Sequence, residues 1–177
     1  MLITTYVLLT LSVEQKKERS FIAHIRNYLL ANAGKQQEID PAHLQARLDE
    51  LAGFAETRHR HKLERCLMPA VRLASAEASP LLADLELLGR TGGNMLRSVR
   101  RRLHQAFAEG GEQIQMLCRT LERYCQNLLE RLAKEEQELL PLARRVISNE
   151  QWFAIGAMFL SHDAGDAERQ RLRLRVE

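Results

Sequence analysis

Aromatic residues make up only 5% of the 177-residue chain, and nowhere do β-branched residues alternate with polar ones between turn signals. That argues against sheets and for a core of aliphatic helices. The three cysteines, Cys66, Cys118 and Cys125, are odd in number and show no CxxC spacing, which argues against a disulfide framework. They read as reduced core thiols of a cytoplasmic protein. Charge of one sign is also scarce: the net charge is +3, so neither a nucleic-acid partner nor an acidic substrate is expected. The apolar opening, MLITTYVLLTLSV, is too short to span a bilayer and has no basic flank or small-residue cleavage site. It reads as the start of a buried helix, with no membrane span; the alternative reading gives its exposed part a membrane or oligomer contact, a homodimer among them.

What the chain does contain is helical punctuation within one domain, 1–177. Gly34 stops a first helix, and Asp40 with Pro41 supplies the cap and first turn of a second. Along that second helix Leu44, Leu48, Leu51, Ala55, His59, Leu63 and Cys66 recur at spacings of three and four, which makes one inward face. Ser79 as a cap and Pro80 in the first turn open a third helix toward Phe107, which Gly110 and Gly111 end. Leu117, Leu121, Tyr124, Leu128, Leu132, Glu135, Leu139 and Leu142 trace a fourth, with Glu135 facing inward. Ser148 and Gln151 stand at capping-box spacing before a short fifth helix bearing Trp152, Ile155 and Phe159, and a basic tail, RQRLRLRVE, follows. The expected fold is all-α: an antiparallel up-down four-helix bundle with a short extra C-terminal helix.

Two segments suggest an internal duplication. HRHKLERCLMPAV and ERLAKEEQELLPLA each set Arg four residues before Glu, ahead of an apolar step into Pro: Arg60 with Glu64, and Arg131 with Glu135. With the following LARRVISNEQW, they resemble the hemerythrin-like HHE cation-binding family over nearly the whole chain. The resemblance implies a bundle with a buried di-iron site, each half giving one helix with a lone His and one with a His-x-x-x-Glu pair. Carried over residue by residue, the Glu positions correspond to Glu64 and Glu135, but their His partners correspond to Arg60 and Arg131. Leu85 stands at a third His position, and Glu14 or a neighbour at the fourth. His59 or His61 is available to stand in for the partner of Glu64. The metal-ligand candidates are therefore His59, His61, Glu64 and Glu135.

Arg is always charged, has no acceptor and cannot ligate a cation. Beside a carboxylate at i, i+4 it supplies the positive charge that iron would supply. The expected structural ion pairs are thus Arg60 with Glu64 and Arg131 with Glu135, the second to be tested by comparing Arg131→Ala with Arg131→Ala, Glu135→Leu. Arg58, Lys62 and Arg65 crowd the same turns as His59 and His61 and oppose a cation there. The arginines at 97, 100, 101 and 102 read as a solvated helix face. Around Glu135, Glu136 and Glu138 no His, Ser or Cys stands at a catalytic spacing, so no enzyme is expected. The resulting expectation is a non-catalytic, cytoplasmic regulator of bacterial type, largely without its di-iron site, acting as a scaffold for an unidentified protein partner. The alternative is an iron-binding sensor or store for oxygen, nitric oxide or redox state, with iron as the cofactor only in that case.

Overall fold

The computed structural model describes residues 2–35 and 38–173, and among them there is helix and no strand. α1 is Leu2–Ala31. α2 runs through Pro41–Ala52, the π-helical turns Gly53–His59, a short α stretch Arg60–Lys62, a second π-helical turn Leu63–Leu67, and Met68–Ala74. A 3-10 turn, Ala76–Ala78, leads into α3, Ser79–Glu109. α4 comprises Gly111–Lys134, a π-helical turn Glu135–Leu139, and Leu140–Val146. α5 is Asn149–Arg173.

The chain's punctuation acts largely as its residue types dictate. The Asp40 carboxylate accepts from Ala42 N at 2.9 Å, and Pro41 occupies the first turn, where its missing N–H has no partner to lose. Between α3 and α4, Gly110 has φ 74°, a left-handed turn that favours glycine. Ser148 and Gln151 form a reciprocal capping box: Gln151 N donates to the Ser148 hydroxyl and Ser148 N to the Gln151 side chain.

Two expectations change. Ser79 does not cap α3, because the 3-10 turn runs straight into the helix and the Ser79 hydroxyl donates back to Ala76 O at 2.9 Å. The fifth helix is 25 residues rather than short. Its apolar contacts end at Phe159, but Asp163 continues the docking by meeting charges on α2. Residues 169–173 of the basic tail continue α5, and 174–177 lie outside the described residues.

The π-helical turns Leu63–Leu67 of α2 and Glu135–Leu139 of α4 each lie just before a proline, Pro69 and Pro141. Proline removes a backbone N–H and crowds the carbonyl four residues back, and a widened turn relieves that crowding. The same device therefore appears in both Arg-x-x-x-Glu segments.

The interior divides into two apolar clusters. One joins Ile22 and Ile25 of α1, Leu44, Leu48 and Leu51 of α2, Leu96 and Leu103 of α3, and Leu121 and Leu128 of α4. The other joins Val7 and Leu11 of α1, Leu63 and Leu67 of α2, Leu82 and Leu85 of α3, Leu139 of α4, and Trp152, Ile155 and Phe159 of α5. Between the clusters the inward positions of the first three helices depart from apolar residues, at Glu14 to Glu18, His59 to Lys62 and Gly89 to Gly92, and on α4 Arg131 and Glu135 turn inward beside Leu132.

Candidate functional site: a buried charge layer

The polar residues between the clusters form one layer. Three carboxylates, Glu14, Glu18 and Glu135, and three basic side chains, His59, Lys62 and Arg131, are buried there. They reach it by helical spacing. Glu14 and Glu18 share the face of α1 that carries Val7, Leu11, Ile22 and Ile25, while Lys62 follows Ala55 and His59 at spacings of four and three on α2. Arg131 and Glu135 lie one turn apart on α4, between Leu128 and Leu139.

His59 is the hub. Its Nε2 is 2.8 Å from Glu135 Oε2 and its Nδ1 3.3 Å from Glu14 Oε2. Burial alone would lower its pKa, but the charge and hydrogen bond of Glu135 and the hydrogen bond to Glu14 outweigh it and push the value up to about 9. At neutral pH His59 is therefore an imidazolium donating from both nitrogens. Glu135 also accepts from Gln15 Nε2 at 3.1 Å. Burial raises its carboxyl, yet His59, Arg131 and Gln15 together hold it below the ordinary glutamate value.

Lys62 Nζ donates to Glu14 Oε1 at 2.5 Å and pairs with Asp163 of α5 at 2.8 Å. Burial raises the Glu14 carboxyl too, but its bonds to His59 and Lys62 hold it below the usual value. Arg131 Nη2 donates to Glu18 Oε1 at 3.0 Å, and its Nε lies 3.3 Å from Glu135 Oε1. The pKa of Glu18 is raised, because burial outweighs the nearby Arg131 charge. Among the charged groups of the layer, Glu18 is the least well compensated.

Toward the rim of this layer, Arg60 donates to Glu64 at 2.6 Å, to Glu56 at 2.8 Å and to Gly89 O at 3.2 Å. Glycine at that point of α3 lets the guanidinium lie against the backbone. Leu85, Arg60, Glu64, Arg131 and Glu135 line a cavity of about 10 Å³, the threshold for one water molecule.

The four proposed metal ligands are not brought together. His59 and Glu135 meet at the centre, Glu64 is half-buried and held by Arg60, and His61 is exposed. His59 and His61 are about 200° apart around a helix, so one facing inward sends the other out. His61 instead stacks on His162 of α5, with ring centroids 4.6 Å apart. The residues present fit a di-iron centre poorly: both His59 nitrogens are bonded to carboxylates, Lys62 and Arg131 already supply cations, and Leu85 brings no donor. The acid and histidine group His162, Asp163 and Asp166 has donor atoms within 4.8 Å of one another, but Asp163 already holds Lys62.

Glu18, Gln15 and Asp163 are residues of the charge layer that the sequence does not single out, and it marks Lys62 only as a charge opposing a cation. The signal for α1 was available: three polar residues interrupt an otherwise apolar helix face at 14, 15 and 18. No such signal marks Asp163, whose partners lie about a hundred residues away. Compared with protein-family models, curated proteins and solved structures, the chain matches none.

Proposed function

We propose that this chain is a non-catalytic, hemerythrin-like, antiparallel up-down four-helix bundle with a docked fifth helix. On this reading a closed set of ion pairs occupies the level where the resemblance puts iron, and the molecule works as a regulatory or protein-interaction scaffold. Contacts that descend one helix as they climb the next support the up-down arrangement. Asp49 pairs with Arg100 and Arg60 with Gly89 across α2 and α3, while Arg26 pairs with Glu122 and Arg19 with Glu136 across α1 and α4.

The observation that carries the reading is His59, fully buried and doubly bonded between Glu14 and Glu135 while Lys62 and Arg131 bring the remaining positive charge. An imidazolium has no lone pair to offer a metal. A layer whose charges already meet their opposites gains little from an added cation and would have to displace protons to take one. Three free thiols suit a reducing compartment, and a cytoplasmic regulator of bacterial type is the setting we assign.

The second reading, an iron-binding sensor or store, rests on the convergence of Glu14, His59 and Glu135, which are donor types that iron accepts. Elemental analysis of protein purified without chelator, with melting curves taken with and without ferrous iron, separates the two. The scaffold reading expects well under one iron per chain, no charge-transfer colour and no change in Tm. About two irons per chain and a raised Tm would establish the sensor reading instead.

A further inference from the structure

We infer that a second copy of this chain docks on the outer face shared by α1 and α5, forming a two-fold symmetric dimer. Each of these helices carries an apolar stripe that faces away from the core. On α1, Leu2, Leu9 and Val13 follow one another at spacings of seven and four and are 91%, 62% and 56% exposed, while Tyr6 between them is partly buried against the core. On α5, Phe153, Ala157 and Leu160 form the matching stripe, with Phe153 64% and Leu160 55% exposed.

The two stripes make one surface. Gly156 lies against the Ile3 side chain and near Val7, so closely that a Cβ would collide with Ile3. At about 100° per residue, Phe153 and Leu160 are turned only about 40–60° from Gly156, and Leu2 and Val13 about 80–100° from Ile3. The helices run in the same direction, because Gly156 is level with Ile3 and Val7 while Asp163 reaches Lys62, the partner of Glu14. On α1 the rotation from core to contact to stripe has one sense and on α5 the opposite sense. For parallel neighbours that opens both stripes on the same outer side.

Charge at the two ends of this surface selects the occupant. The α1 stripe continues upward into Lys16, seven residues beyond Leu9, and the α5 stripe begins at Glu150, three residues before Phe153; both are exposed. With Gly156 level with about residue 5 of α1, Glu150 and Lys16 lie about 26 Å apart along the helices at 1.5 Å per residue. A two-fold axis across the middle of the surface sets Lys16 of each copy over Glu150 of the other, so the surface complements itself in charge as well as in apolarity. That is the requirement of an isologous contact. Two helices wide, about 20 Å, the surface offers roughly 500 Å² per copy, at the small end for a specific interface, so the dimer is concentration-dependent.

The dimer gives the scaffold reading its first partner and rests on that reading to this extent. The two fail separately, since one is read from mass and the other from metal content. The test is sedimentation equilibrium over micromolar to millimolar chain concentration, with Tm recorded for every variant to confirm folding. The wild type is expected to pass from one chain mass to two. Lys16→Glu and Glu150→Lys should each weaken association at least tenfold, and the double variant Lys16→Glu, Glu150→Lys should restore it to within a few-fold. A monomer throughout, or a dimer indifferent to all three variants, overturns the proposal. So does a monomer that sediments with anionic phospholipid vesicles and stops doing so when Leu9 and Leu160 are replaced by Ser.

Discussion

Arg60 and Arg131 stand at the same place in two similar segments, each four residues before a glutamate and nine or ten before a proline, yet they meet different fates. Arg131 is buried in the middle of the molecule and its closer carboxylate is Glu18, 113 residues away; the Glu135 pair is the longer one. Arg60 keeps its local partner Glu64 but sits at the rim, 24% exposed, and shares itself with Glu56 and the α3 backbone. Helical spacing sets which residues share a face, whereas the neighbouring helix decides whether that face is dry. At Arg131 the neighbour is α1 with its buried acids; at Arg60 it is α3 with glycine at 89.

This contrast orders the consequences of mutation. Removing Arg131 should have the largest effect. Arg131→Leu leaves Glu18 and Glu135 short of a counter-charge in a dry interior, and the loss is expected to be about 3–5 kcal/mol in denaturant unfolding. Adding Glu18→Leu should recover most of that loss. Adding Glu135→Leu should not, because Glu135 is also the acceptor for His59 and Gln15. Thus the partner for a compensating change is the distant glutamate and not the one four residues on. Rescue by Glu135→Leu and not by Glu18→Leu would show that Arg131 is balanced by its local glutamate, as Arg60 is.

Next in size is a dependence on pH. A histidine whose folded pKa is raised contributes stability that is fully present below its unfolded value, near 6.5, and is lost as the pH climbs through about 9. For His59 this amounts to about 3 kcal/mol across that window. Glu14 and Glu135, whose values are lowered, act at the other end, losing their contribution as the pH falls below the ordinary glutamate range. Urea titrations should show stability falling from pH 6.5 to 9, and His59→Gln should remove most of that slope while lowering stability at pH 6. A wild-type slope unchanged by His59→Gln would place the titrating group elsewhere.

The rim pair should matter least. Arg60→Ala is expected to cost about 1 kcal/mol or less, since Glu64 and Glu56 remain partly solvated. Measured beside Arg131→Leu in the same denaturant, it gives the contrast its sharpest form. Equal losses at the two positions would show that the two similar segments are energetically alike.

Much of the fold was legible in residue types. Asp40 with Pro41, Ser148 with Gln151, and Gly110 announced helix ends correctly because caps and left-handed turns depend on local chemistry. Ser79 misled because a 3-10 turn ahead of it left no free helix start to cap. Within the site, the i, i+4 contacts of Arg60 with Glu64 and Arg131 with Glu135 were also local and readable. Lys62 was passed over because Leu63, one residue on, satisfies the same apolar spacing, and a lysine is rarely assigned to a core. Glu18 and Asp163 were invisible as partners because their pairings depend on how α1 and α5 lie against the rest.

A protonated His59 and its ion pairs close the middle of this molecule. Nitrogen NMR of the His59 ring, followed from pH 6 to 10, tests this most directly. Both ring nitrogens should stay protonated at pH 7.5 and titrate near pH 9, with no change on adding ferrous iron. A neutral ring at pH 7.5, or a resonance broadened away by iron at one equivalent, would contradict it.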